Sequence, residues 1–568
     1  MGKPETLYLQ GAASCLYQAI PVEQPVTIQA SDSSIKVAHR APLGWVGQML
    51  LLFSLVSGAA THAWHLFEYP LYITDEGIYM EQAWSVLREG KLEPYTYFYD
   101  HAPAGWLLIS GWVSILPFQF QTFGNAINTG RVLMLIFHIL SIFLLFHITY
   151  RFSGRLSAAV IACFFFNFSP LAVYYQRQVL LDNIMVFWML LCLYLITRDD
   201  GRILTIMLSG VVFGIGVLTK ENAIFFAPVV IYLLYTQVRK QPNHRFALGF
   251  WVYMSGSVIS LYFLYATLKN ELLPYHLNFN LNAPQQEHVS LLYTIWWQLH
   301  RGNGSILDPN SDFWRFGLSI WFPRDKYILI FGGIALIVVL VLGWASRPRN
   351  RGYIVASLLG ISYAIYLIRG SQMLEFYIVP LIPFLAMNLG ILGAILLQPL
   401  ARLRPASLSA SMQAIAIITL WAGLLSPAAG YFFVHDAQGK TVPHDLYKLN
   451  VTYMQTDQLA FIRAHIPPTA KIIIDDDMWV QLHDIAPYYK WAHSHWKAAS
   501  DPEVRNKLFG QNWRNIDYIV MSNQMLQAME LNNTDGSENY ILEALRHSVR
   551  IWDLKRGGIE LQIYQVQK

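Results

Sequence analysis

Short basic links cut the apolar part of this chain into runs of membrane-crossing length, and no other feature of the sequence constrains its fold as strongly. The links are Arg151-Phe-Ser-Gly-Arg155, Arg198-Asp-Asp-Gly-Arg202, Arg239 to Arg245, Arg347-Pro-Arg-Asn-Arg351 and Arg402-Leu-Arg404. A membrane-spanning helix takes about 20 apolar residues. By that measure spans are expected near 43–65, 128–149, 156–173, 183–197, 203–219, 223–238, 247–268, 327–345, 352–368, 377–399 and 409–429. The basic links alternate strictly with the other connections, so the positive-inside rule assigns them to the cytoplasm. The expected fold is a polytopic α-helical membrane protein of about 11 transmembrane helices, with its N-terminus cytoplasmic.

Composition agrees. Of 568 residues 54% are hydrophobic and only 13% charged, against roughly 25% charged in soluble domains. A net charge of +4 gives no reason to expect nucleic acid as a partner. Cys15, Cys163 and Cys192 are too few and too scattered for a disulfide framework or a CxxC metal site. Residues 1–42 hold no apolar stretch of signal-peptide type; they read as a polar, mobile, cytoplasmic leader before an uncleaved first span.

The remaining segments then lie outside: 66–127, 174–182, 220–222, 269–326, 369–376 and 430–568. Asp75-Glu76 opens the first, and two adjacent carboxylates at a membrane edge are costly unless they are used. After them, Met80, Ala83, Trp84 and Leu87 share one helical face, with Glu81, Gln82, Ser85 and Arg88 elsewhere and Gly90 as C-cap. That pattern predicts an amphipathic helix over 76–90 on the outer membrane surface. A second surface helix is expected through Gly105 to Trp112, because a span there would invert every later loop. Between them, Tyr95 and Tyr97 read as interface-belt residues, while His101 beside Asp100 can bind a phosphate oxygen or be held by the carboxylate.

The later outer segments add Arg177 and Asp182, which could equally form a helix-end ion pair, and Lys220-Glu221, where the lysine could be a snorkelling anchor. Arg369, Glu375 and Tyr377 follow the ninth span. Together these place carboxylates and cations from separate helices on one membrane face. The inventory suits an anionic lipid head group meeting a nucleophile: cations stabilise a departing phosphate, and a carboxylate deprotonates a hydroxyl.

Residues 430–568 differ in kind. A helix through Gln458 to His465 stops at Pro467-Pro468, and strands are expected at Lys471–Ile474, Tyr518–Val520 and Ile559–Ile563. A soluble α/β domain on the outer face is the expectation. Asp475-Asp-Asp477 is similar to acidic triplets that hold a metal-bound nucleotide sugar, but it also sits where a strand ends. No cofactor is demanded; a divalent cation at the outer carboxylates stays open, since no tight ligand spacing requires one.

Several segments resemble the GT-C polyprenyl-phosphate-sugar-dependent glycosyltransferases, more narrowly the group of protein O-mannosyltransferases and lipid A aminoarabinose transferases (families 39 and 83). They are Thr74-Asp-Glu-Gly77, Tyr99-Asp-His-Ala-Pro-Ala-Gly-Trp106, Gly130-Arg131, Ser169-Pro170 through Arg177 to Asp182, Leu218-Thr-Lys220, and Glu375 to Pro383. The resemblance covers roughly 43–400 and leaves the tail uncovered. It implies Asp75 as catalytic base with Glu76 placing the acceptor or the base, and Arg177, Lys220 and His101 on the carrier phosphate. It implies Asp182 as the second acid, and Glu375 and Tyr377 near the lipid-sugar entrance.

The expected activity is transfer of a monosaccharide from a polyprenyl-phosphate carrier to an acceptor hydroxyl, with inversion, at the outer face of a cell (inner) membrane. The acceptor could be a protein, a lipid or a cell-wall glycan. The competing reading is a transporter or flippase for a lipid-linked sugar. Against it, transporters place polar residues near the midplane on broken helices and often carry internal repeats, and the two halves of this chain are dissimilar.

Overall fold

The computed structural model describes residues 43–198, 202–274, 289–302, 304–346, 350–370, 373–400, 408, 411–419, 450–532, 536–556 and 558–568. The expected leader 1–42, most of the eleventh span and residues 430–449 lie outside the described residues.

The first ten expected spans each fall on a described helix. In chain order these are α1 (Trp45–Ala63), α4 (Ala126–Ser153), α5 (Leu156–Phe168), α7 (Leu181–Ile196), α8 (Ile203–Thr219), α9 (Ala227–Val238), α10 (His244–Leu268), α13 (Phe322–Ala345), α14 (Arg351–Ile368) and α15 (Ile382–Leu396). Among the described residues seven helical stretches are long and apolar enough to cross a membrane, and the chain is a polytopic helical membrane protein. α5, α7 and α8 are shorter. The expected span 156–173 is broken: Ser169 ends α5 and caps α6 (Pro170–Tyr175), accepting from the Ala172 amide at 3.3 Å.

The helices are apolar outside and small or polar inside, the pattern expected where lipid replaces water. α1 turns Trp45, Met49, Leu52, Phe53 and Val56 outward and buries Gly47, Ser54, Gly58 and His62. Gly390 of α15 lies so close to α5 that a Cβ would collide with the Ala158 carbonyl.

Between α1 and α4 lie α2 (Thr74–Glu89) and α3 (Ala104–Ser114). Gly90 ends α2 at φ 67°, the left-handed cap its position suggested. α3 has 11 residues, too short to span. One side packs inward, with Trp106, Ile109 and Val113 buried and Trp112 donating to the Thr129 carbonyl at 2.9 Å, while Leu107 on the other side and Ile115 at its end are exposed.

Residues 450–568 form a five-stranded sheet in the order β4-β3-β5-β7-β6. β3 (Ile472–Ile474), β4 (Ala492–Ser494) and β5 (Tyr518–Ser522) run parallel, while β6 (Ser548–Arg556) and β7 (Ile559–Val566) form an antiparallel hairpin joined to β5. The three expected strands are present. β4 and β6 have no counterpart in the sequence reading: β4 is three residues long, and β6 alternates weakly because it is exposed along much of its length.

This unit covers α2. Gln455 bonds both the amide and the carbonyl of Tyr72, each at 2.9 Å, and Thr74 donates to Asp475 at 2.8 Å. Further along, Trp84 and Arg88 both donate to Asp484. At Gly77 a Cβ would overlap the backbone of Asp476. Glu81, Gln82 and Ser85 are therefore buried, which corrects the expectation of a membrane-surface helix with its polar face in water. Tyr95 is likewise no belt residue, since its hydroxyl meets His493 Nδ1 at 2.6 Å.

Candidate active site

The candidate site residues collect where helix ends of alternating direction meet on one side of the bundle. Asp75 and Asp182 stand in the first turns of α2 and α7, and Lys220 follows the last residue of α8. A helix N-terminus favours a carboxylate, which offsets part of the cost of burying both acids.

Lys220 is 2% exposed and donates to Asp182 Oδ2 at 2.6 Å. Its ammonium also lies 4.7 Å from the Tyr377 ring and 5.0 Å from the Phe376 ring. It is an inward, paired cation rather than a snorkelling anchor. Glu221 turns the other way, accepting from His101 Nδ1 at 3.3 Å and from the Ala102 amide at 2.5 Å. The Asp100 carboxylate instead accepts from the His101 amide, and Tyr97 and Tyr262 donate to the His101 carbonyl. Tyr97 thus braces the imidazole's backbone and is not a belt residue.

Asp75 is half-buried and faces this group, with the Tyr79 hydroxyl 3.4 Å from its Oδ1. Burial pushes its pKa up; Lys220 and His101 pull it down, and Asp182 pushes it up again. Burial alone would lower the His101 pKa, but the hydrogen bond and charge of Glu221, with Asp100, raise it overall. The arrangement is a carboxylate of strengthened basicity beside an ammonium and an imidazole biased toward its cation.

Glu76 points elsewhere. It is fully buried, held by a two-point fork from Arg131 at 2.9 and 2.8 Å. The Val179 amide donates to it at 2.9 Å and the Ile73 amide at 3.3 Å. These bonds fix the start of α2 and hence the direction of Asp75; they leave Glu76 no place among reacting groups. Arg177 is also buried, donating to the Thr61 and Tyr69 carbonyls at 3.0 and 3.2 Å. Asp182 is thereby paired with Lys220 rather than forming the considered Arg177–Asp182 helix-end pair.

Arg369 is exposed, its guanidinium 3.9 Å from the Tyr366 ring. A two-residue ladder between β1 (Gly304–Ser305) and β2 (Arg369–Gly370) brings the 269–326 segment to it. That segment carries Arg301, whose charge acts on Tyr377, Tyr366 and Asp100. Glu375 lies beside Arg324, which donates to the Tyr175 hydroxyl at 2.7 Å. The sequence reading named neither Arg301 nor Arg324; their basic character within an outer segment was the available signal.

Among the described residues no group of three or more His, Cys, Asp and Glu has metal-holding geometry. Asp475, Asp476 and Asp477 accept from Thr74, Trp496 and Gln455 respectively, so the triplet joins α2 to the sheet.

Residues 100–269 match a family model described as dolichyl-phosphate-mannose-protein mannosyltransferase. That stretch holds His101, Asp182, Lys220 and Glu221 but not Asp75. No curated protein sequence matches significantly. Among solved structures, ArnT from Cupriavidus metallidurans bound to undecaprenyl phosphate aligns over 93% of this chain and 99% of its own, at 16% identity and TM-score 0.53. The Archaeoglobus fulgidus oligosaccharyltransferase in its apo form aligns over 86% and 71%, at 13% identity and TM-score 0.52. AglB from the same organism, in complex with an inhibitory peptide and a dolichol-phosphate, aligns over 92% and 75%, at 12% identity and TM-score 0.50. The chain has the GT-C glycosyltransferase fold that the sequence resemblance implies.

Proposed function

We propose that this protein is an inverting glycosyltransferase that takes a monosaccharide from a polyprenyl-phosphate carrier at the outer face of the membrane. Asp75 facing Lys220 and His101 is the observation that carries this reading. The bound undecaprenyl phosphate of ArnT and the dolichol-phosphate of AglB support a lipid-phosphate donor. Helix ends gathered on one side of the bundle favour chemistry at an interface over transport through a midplane site. The topology that accompanies the reading has the basic links inside, residues 66–127, 269–326 and 430–568 outside, and about 11 spans.

In the transfer, the Asp75 carboxylate takes the proton of the acceptor hydroxyl as its oxygen attacks the anomeric carbon. The bond from that carbon to the phosphate oxygen breaks on the opposite face, so configuration inverts. The departing phosphate gains charge, which the Lys220 ammonium and the His101 imidazolium stabilise. Asp182 and Glu221 hold those two cations in place. Glu76 and Arg131 act as positioning residues, and Arg177 has a packing role between α1 and the 174–182 segment. Arg369, Glu375 and Tyr377 border the donor's approach.

Purified Asp75→Asn protein, assayed with polyprenyl-phosphate-linked sugars, should fold normally and lose about 10²–10⁴-fold in transfer rate. Transfer near the wild-type rate would remove Asp75 as the base.

A further inference from the structure

The C-terminal sheet carries a crevice that the transfer chemistry does not use. β3 and β5 are parallel neighbours whose chains leave in opposite directions, β3 toward β4 and β5 toward the β7 side. In open α/β sheets, divergence of this kind leaves a gap at the carboxyl ends of the strands, where ligands bind. A cavity of about 190 Å³ lies there, between Asp475 and Met478 after β3, Ser522 at the end of β5 with Met525 beyond it, and residues Leu71–Thr74 at the start of α2. We propose that this crevice binds one unit of a neutral saccharide.

The lining fits that class. Asp475, Asp477, Gln458, His495, Ser522 and Thr74 bring carboxyl, amide, imidazole and hydroxyl groups, while Met478, Met525 and Leu561 bring apolar surface for a sugar's C–H face. Among the described residues no lysine or arginine lines it, and His495 is the one basic side chain there. Burial, with Asp475 and Asp476, pushes the Asp477 pKa well up, which disfavours its charged form. Burial lowers that of His495, but Glu538 and the nearby aspartates raise it overall. The His495 ring is already engaged, its Nδ1 3.0 Å from Glu538 Oε1, and the remaining carboxyl, amide and hydroxyl groups match the hydroxyls of a neutral sugar.

Thr74 both lines the crevice and precedes Asp75. A bound saccharide therefore braces the segment that aims the carboxylate, and acceptor chains longer than one sugar gain a second point of attachment.

Saturation-transfer NMR on the full chain in detergent, with glucose, galactose, mannose and arabinose as probes, tests the proposal without any transfer step. At least one should give a saturable, millimolar signal. Met525→Trp and Leu561→Trp, which fill the cavity from two sides, should each weaken it about tenfold or more, equivalent to 1.4 kcal/mol. Diazirine-bearing versions of the same sugars, photolysed on the wild-type protein, should label residues 71–74, 475–478 or 520–525, which keeps the test independent of how the variants fold. The proposal is overturned by absence of saturable binding to all four sugars, by stronger binding of glucose 6-phosphate or glucosamine, or by labels confined elsewhere. Loss of transfer in Asp75→Asn with sugar binding intact would leave both readings standing separately.

Discussion

The two faces of α2 handle buried charge in opposite ways. Toward α7 and α8, acids and cations are matched: Lys220 with Asp182, His101 with Glu221, and Asp75 half-buried between them. Toward the C-terminal sheet, Glu81, Glu93, Asp476 and Asp477 are all buried against Lys497 and His495. Lys497 pairs with Glu93. Among the described residues Glu81 lies against Asp476 without a cation of its own; burial first, and then the Asp476 charge, drives the Glu81 pKa well up. Matched charges suit the phosphate-receiving surface proposed above. A cluster of buried acids with raised pKa values suits a joint that needs only to stay closed.

The contrast can be broken from either side. After Asp75→Asn, the largest remaining effect on the matched face should come from Lys220→Ala, which removes a charge-assisted bond. Such bonds contribute about 1.5–3 kcal/mol, so apparent donor affinity should fall by about 10-fold to 150-fold with acceptor affinity little changed. Equal losses for donor and acceptor would make Lys220 purely structural.

Glu76→Gln probes the neighbour that lies outside both faces. It leaves the buried Arg131 guanidinium uncompensated, a change that costs about 3–5 kcal/mol. Thermal unfolding should show that loss in full. Unchanged stability with lost transfer would move Glu76 back among the reacting groups.

The smallest expected effects are in pH. Burial raises the Glu93 carboxyl from 4.5 to about 7, despite the partial offset from Lys497. The folded protein then keeps a proton that the unfolded chain has lost, so stability of the joint falls as pH rises from about 4.5 to about 7 and levels off above. Hydrogen exchange at residues 93–97 and 476–497, corrected for its intrinsic pH dependence, should show this, and Glu93→Gln should flatten it. Transfer should run the other way, rising with pH as Asp75, whose pKa burial also raises, becomes ionised. A transfer rate that fell in parallel with exchange protection would mean that docking, not the base, controls the rate.

Much of this was legible locally. The period from Met80 to Leu87, the glycine at 90 and the short basic links are features of neighbouring residues, and α2 and the spans follow from them. Lys220 and Asp182 were legible as types, because charge beside apolar runs is costly, but their pairing was not. What escaped depends on residues far apart. Nothing near Glu76 announces Arg131, and nothing near Glu81 announces Asp476. Amphipathic spacing shows only that a polar face exists; whether water or another part of the chain covers it depends on tertiary packing. Arg301 was hidden for the same reason, since a two-residue ladder to β2 is what carries it to Tyr377.

The contact at Gly77 has a consequence for how the molecule is made. Thr74 and its partner Asp475 stand 401 positions apart, so a ribosome releases α2 long before the segment that covers it. Until residues 450–568 are made, Glu81 lacks its Asp476 neighbour, and the backbone at residue 77 lacks the Asp476 backbone it meets in the fold. The contacts that hold α2 against the sheet therefore form only after residues 450–568 have been made.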